Sequence, residues 1–373
     1  MSDNVNNQKD FFQLVNLDAD GNIGVVMSGG TGGATLWEAG GGTESIKQIN
    51  TLSPNSANAD YSVITGSNNQ TYDGATDSFI GGGNNNVISG GTAVNSTIIG
   101  GFNNSVVGPN SSIISSSINS ITSFGTNNNI FGGTENTIEG PSTQNNMFGA
   151  DSCKISGPAA FNNIFGAINA EIDGPISFSR IFGGVNPKIK TLGSGNYIIG
   201  GDNSEIDFGT GCYTIGGANN EIVGNTAGSP GSTSSTIFGG YQNKVIGNDS
   251  IIIYGRENTI IRGSLASSGK RHTIFGGSGN TINIDSNTDS IIIGGLSNTI
   301  NNTVSNSTIL GGNGITATQN DTVYVPNLVI NTSITPTSTS DAAGEEGNVS
   351  YDATYMYVKT STGWGRVALD YSF

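Results

Sequence analysis

The stretch that most constrains this chain is STIIGGFNNSV, at 96–106. It is one copy of a nine-residue module: two apolar residues, Gly-Gly, two free positions, an Asn-rich position, one free position and a closing apolar residue. Counted from the first Gly position, copies fall at Gly66, Gly81, Gly100, Ser115, Gly132, Gly149, Gly166, Gly183, Gly200, Gly216, Gly239, Tyr254, Gly276, Gly294 and Gly311. A recurrence every 15 to 23 residues is the signature of stacked rungs, each burying its apolar side against its neighbours.

Within the module the spacing is rigid. A closing apolar residue stands six positions after the Gly position: Val87, Val106, Ile121, Ile138, Ile155, Ile172, Ile189, Ile206, Ile222, Val245, Ile260, Ile282 and Ile300, with Tyr72 and Ala317 in the first and last copies. All variation in length falls after this residue, so one corner of each rung is fixed and the opposite corner is free to bulge.

Before the Gly stands an adjacent apolar pair, as in Ile98-Ile99, Ile130-Phe131, Ile164-Phe165, Ile181-Phe182, Ile198-Ile199, Ile237-Phe238 and Ile274-Phe275. Neighbours on a strand point to opposite faces. One member of each pair fills the coil; the other needs a second partner. A column of more than a dozen such residues exposes about 1,000 Å², more than the few hundred Å² a monomer leaves open. Self-association around a symmetry axis is the simplest resolution; a trimer is expected, with the Ile-dominated column, two before the Gly position, at its axis.

The second strand is wet on one side. Lys154, Glu171, Lys188 and Glu205 form a column of alternating sign, and rungs about 4.8 Å apart bring each charge beside its opposite. Asn104, Asn119, Asn136, Asn220, Asn243, Asn258, Asn280 and Asn298 form a second column, expected as an amide ladder at the turn.

These IGG…N…I rungs resemble the head domain of trimeric autotransporter adhesins over about two thirds of the chain. The resemblance implies a left-handed parallel β-roll, three of which pack around a common axis. The chain departs from that family in its bulky Ile and Phe where Ala is frequent. A hexapeptide β-helix acyltransferase is the rival fold, but its strict six-residue phase is missing. The expected fold is therefore all-β: a homotrimeric parallel β-roll, or β-solenoid, of about fifteen rungs, with small β-rich terminal segments.

Three regions follow: an N-terminal attachment segment (1–50), the roll (51–317) and a C-terminal β-meander serving as cap or tip (318–373). In the first, DADGN offers Asp18, Asp20 and Asn22 at calcium-loop spacing, but Gly29 stands where the bidentate Glu belongs. A β-turn is the better reading. The last segment, GNVSYDATYMYVKTSTGWGRVAL, resembles a short module near the ends of phage and giant-virus fibre proteins.

The net charge of −15 argues against a nucleic-acid backbone as partner, and no apolar run is long enough to insert in a membrane. The start, MSDNVNNQKDFF, lacks a basic-then-apolar export signal. With no stalk or barrel, this points away from an autotransporter and toward a virion fibre assembled in a host cytoplasm. Cys153 and Cys212 lie four rungs apart, too far for a disulfide, and are expected as free thiols.

Two groups are candidates for receptor contact. Tyr355, Tyr357, Trp364 and Arg366 offer rings and a guanidinium for sugars, or else close the roll and lock the trimer. Lys270, Arg271 and His272 lie in a predicted loop that suits an anionic glycan. Glu205 with Asp207, and Glu171 with Asp173, have the spacing of an inverting glycosidase pair, but the charge ladder already explains them. The expectation is a non-enzymatic fibre without metal or cofactor. Its partners are its own copies, a baseplate, tail or capsid protein at the N-terminal segment, and a host glycan or receptor. A cellular adhesin and a glycan-depolymerising tailspike are the alternatives.

Overall fold

A computed structural model describes residues 16–17, 23–24, 37–48, 54–114, 117–122, 124–158, 160–174, 178–190, 194–207, 209–223, 234–262, 271–284, 289–330 and 334–372. Among them there is no helix. The chain is a parallel β-solenoid of about fourteen turns. It falls into two compact units, Met1–Tyr324 and Val325–Phe373.

Each turn places one strand in a first sheet and one in a second, as in Thr97–Ile99 and Ser105–Val106. In the first sheet Ile98 pairs in parallel with Ile80 below and Ile113 above, and this line of pairings continues to Val323–Tyr324. It opens with an antiparallel hairpin, Trp37–Ala39 against Ile46–Gln48. The solenoid thus extends past Ala317, where the sequence repeat ends. Its last strand is anchored by Tyr324, whose hydroxyl accepts the N–H groups of Thr318 and Gln319 at 2.9 and 2.8 Å.

Both registers derive from the module, with corrections in the first two copies. The second copy is counted correctly from Gly82: Ile98 pairs with Ile80 and Ile99 with Gly81. Its closing core residue is therefore Ile88, not Val87; Ile88 is buried and pairs with Val106. In the first copy the same core place belongs to Thr71 rather than Tyr72.

The interior is two facing apolar columns. Ile98, Ile130, Ile164, Ile181, Ile198, Ile237 and Ile274, two before the Gly position, are completely buried, as are Val106 and the closing Ile residues opposite. Each buried Ile contributes about 1.5–3 kcal/mol. The expectation that this Ile column lines a symmetry axis is overturned, because it fills the coil itself. The column that points outward is the next one: Ile99, Phe131, Phe165, Phe182, Ile199, Phe238 and Phe275.

Corners carry buried polar ladders. The Asn column has no exposed surface. Each Oδ1 accepts the backbone N–H of the residue one rung on, at 3.0 Å from Asn119 to Asn104 and 2.8 Å from Asn136 to Asn119, with Cys153 and Ile315 as the donors to Asn136 and Asn298. The Nδ2 groups reach glycine carbonyls, as from Asn220 to Gly239 and Gly240. Amide-to-backbone bonds therefore dominate the ladder. A second buried ladder, unforeseen from sequence, runs four before the Gly position through residues such as Ser96, Ser111, Asn128, Asn145 and Asn162.

The first ladder is interrupted where Cys153, Ala170, Pro187 and Ser204 replace Asn. Pro187 offers no N–H, and Ala170 beneath it offers no acceptor, so nothing is left unmatched between them. The second sheet divides here, into eight strands ending at Glu171–Ile172 and seven beginning at Glu205–Asp207. Ion pairs cross the gap: Lys188 to Glu205 at 3.5 Å and Lys190 to Glu171 at 3.3 Å. Further along, Glu205 lies beside Glu221, where the sign alternation fails, and Lys244 pairs with Glu221 at 2.8 Å.

The C-terminal unit is a three-stranded antiparallel sheet, Val349–Tyr351, Tyr355–Thr360 and Gly363–Ala368.

Candidate functional site

The aromatic residues singled out in sequence separate by strand alternation. Tyr357 stands opposite Arg366, Lys359 opposite Trp364 and Tyr355 opposite Ala368, so these six share one face. The chain at 334–344 covers part of that face. Trp364 Nε1 donates to the Ala343 carbonyl at 2.9 Å, and the Trp364 backbone N–H donates to the Thr339 carbonyl at 2.8 Å. Gly363, with φ of 129°, passes so close to the Thr339 carbonyl that a side chain there would collide.

Trp364 and Tyr357 are 4 % and 5 % exposed. Of the two roles expected for these rings, stacking on sugars or closing the roll, neither is an open one here: they form the packed floor of the unit. Their polar groups are fixed as well. The Tyr357 hydroxyl donates to Asp352 Oδ2 at 2.6 Å, and Asp352 Oδ1 accepts the N–H groups of Thr354 and Tyr355. These bonds, the tyrosine's first, hold the Asp352 carboxyl below its ordinary pKa. Arg366 lies over the Tyr355 ring at 4.2 Å and Lys359 over Trp364 at 5.4 Å.

Above the floor is a cavity of about 310 Å³, lined in part by Thr337, Ser338, Thr339, Tyr357, Trp364 and Arg366. An aromatic base, hydroxyls on one wall and a guanidinium on the other suit a small amphipathic ligand. Truncating Trp364 would collapse this floor, so Arg366 and Ser338 are the residues through which binding is separable from folding.

The basic group at 270–272 does not assemble as expected. Lys270 lies outside the described residues. Arg271 is exposed and gives both its backbone N–H and its guanidinium to Asp289, each at 2.9 Å. His272 is not in a loop: it opens the strand His272–Phe275 and is buried in the polar column between Ser250 and Ser290. The hollow of about 500 Å³ beside Arg271 sets Asp249 and Asp289 against one guanidinium, a balance that disfavours an anion.

Glu205 and Glu171 are engaged with Lys188 and Lys190. Cys153 and Cys212 are buried free thiols, and burial pushes Cys153 up to about 11. The DADGN segment, expected as a β-turn, lies outside the described residues.

A second surface runs along the solenoid. Phe131, Phe148, Phe165 and Phe182 stack at 4.8, 4.9 and 5.0 Å between ring centroids, within 5° of parallel. Above them Ile199 and Phe238 are about two-fifths exposed, and Phe275 is 47 % exposed. Rings stacked face to face turn their edges outward, which suits apolar packing rather than stacking on sugar. Beside them runs an amide ladder, Asn129 to Asn146 to Asn163, each bond 3.0 Å, followed by Arg180 over Tyr197.

Scanned against protein-family models and searched against curated proteins, the chain matches none.

Proposed function

We propose that this protein is a structural virion fibre, a homotrimer whose solenoid is a rigid spacer and whose C-terminal unit attaches to a saccharide on a host surface. The observation that carries this reading is the outward apolar column. Thirteen of its fifteen positions, from Ile99 to Leu310, are Ile, Leu or Phe. At tens of Å² each they offer on the order of 800–1,000 Å² per chain, the footprint of a stable protein–protein contact. A chain of net charge −15 that keeps such a stripe free of charge is suited to meeting its own copies along it.

The attachment role is supported by the C-terminal cavity, whose aromatic floor and hydroxyl wall match the mixed polarity of a sugar. The fibre-end resemblance of that segment supports the virion setting, with the N-terminal segment docking on a baseplate, tail or capsid protein. The ion-paired carboxylates of the solenoid support a non-enzymatic role.

Light scattering on the purified protein tests the reading. The expected mass is three times 38.1 kDa, and the same sample is expected to retain an arrayed glycan that Arg366→Ala releases. A single-chain mass at micromolar concentration would overturn the assembly. Equal retention by Arg366→Ala would remove the cavity from attachment.

A further inference from the structure

The C-terminal sheet has a second face, and nothing in the chain's described contacts covers it. Opposite the Trp364 side stand Val349 and Tyr351 on the first strand, Met356 and Val358 on the second, and Val367 on the third. Their register joins them into one patch: Val349 pairs with Val358, Tyr351 with Met356, and Met356 with Val367. All five are exposed, from Val349 at 37 % to Val367 at 70 %. No position on this face is charged; Lys359 and Arg366 are on the other.

We infer that this face is a contact between copies of the same chain. The inference rests on the self-association proposed for the solenoid and adds a separate interface to it. Size selects the occupant. Five side chains about half open supply roughly 300–400 Å², about half of what one partner contributes to a standard complex. A foreign protein meeting only this patch would gain little. A copy already held through the solenoid column arrives at high local concentration, and for it a small apolar patch is enough.

Charge points the same way. Between Val325 and Phe373 the chain carries five acids (Asp341, Glu345, Glu346, Asp352, Asp370) and two bases (Lys359, Arg366), a net of −3. Identical acidic units repel unless their contact is neutral, and this is the sheet's neutral face. A three-stranded sheet of this size also has a small core of its own, so covering its open side adds to its stability.

The test places a thiol on each side of the question in the full-length chain. Val358→Cys and, separately, Val367→Cys report the open face; Ser361→Cys, in the exposed hairpin turn, is the reference. Cys153 and Cys212 are buried and their thiols are raised by burial, so they do not compete. The expected result is maleimide labelling of the Val358 variant at least tenfold slower than the reference. Mild oxidation should also link chains through Val358→Cys or Val367→Cys.

Labelling as fast as the reference, in a protein whose mass is multimeric, would overturn this interface while leaving the solenoid assembly standing. Slow labelling with no inter-chain disulfide at either position would assign the cover to the chain itself and also overturn it. A single-chain mass would remove both readings together.

Discussion

Asn258 shows what a single buried amide does in this solenoid. Its own N–H goes to Asn243 Oδ1 at 3.1 Å, its Oδ1 accepts from Asn280 at 3.0 Å, and its Nδ2 reaches the carbonyls of Gly276 and Gly277. The last contact needs a bare backbone: at Gly255, φ is 90° and a side chain would meet Asn258 Nδ2 and the Gly277 carbonyl. Asn258→Ala keeps the backbone bond to Asn243 but strips partners from three backbone groups of the next rung, the Asn280 N–H and the Gly276 and Gly277 carbonyls. We expect a loss of about 1–3 kcal/mol in denaturant unfolding, the cost of leaving such groups unmet. A loss near zero would mean that water takes over the amide's role.

At the scale of the strand, alternation decides what each residue is for, and two adjacent apolar residues do not reveal which faces in. The Ile/Phe pairs were legible as a doubly apolar strand, but Ile164 and Phe165 fit a core equally well by chemistry. Only the closed coil distinguishes them: Ile164 is buried in the apolar interior that also holds Ile172, and Phe165 stacks between Phe148 and Phe182 outside. The three consecutive glycines at 81–83 similarly hid a shift of one residue, since any of them satisfies the motif. In the C-terminal unit, a β-meander was readable, but the pairing that sends Tyr357 and Trp364 to a covered face was not. His272 was misplaced because a His gives no sign that it continues a Ser/Asn column. Ile164→Ala should cost about 2–5 kcal/mol in chemical denaturation. Phe165→Ala should leave the β-sheet signal of circular dichroism intact while moving the mass toward single chains. The reverse pattern would exchange the two roles.

In the solenoid as a whole, each rung touches chiefly the ones beside it, so stability accumulates along the stack. Gly132, Gly149, Gly166, Gly183 and Gly200 are each 17 residues apart. Removing residues 149–165 would leave Phe148 followed by Gly166, as it now is by Gly149, and Phe148 directly below Phe182 in the outward stack. The shortened chain should keep a cooperative unfolding transition and lose one rung of about 4.8 Å, measurable by small-angle scattering. A molten product would show that distant rungs are coupled.

That even spacing also carries a hazard. A staircase of identical steps permits the growing chain to settle one step out of place and still satisfy every backbone bond. What tells one step from the next is whatever differs between them: the order of Lys154, Glu171, Lys188 and Glu205, and the intervals of 15, 22 and 23 residues elsewhere in the repeat. Those unequal intervals work as a vernier, because a displaced chain cannot bring all of them into coincidence at once.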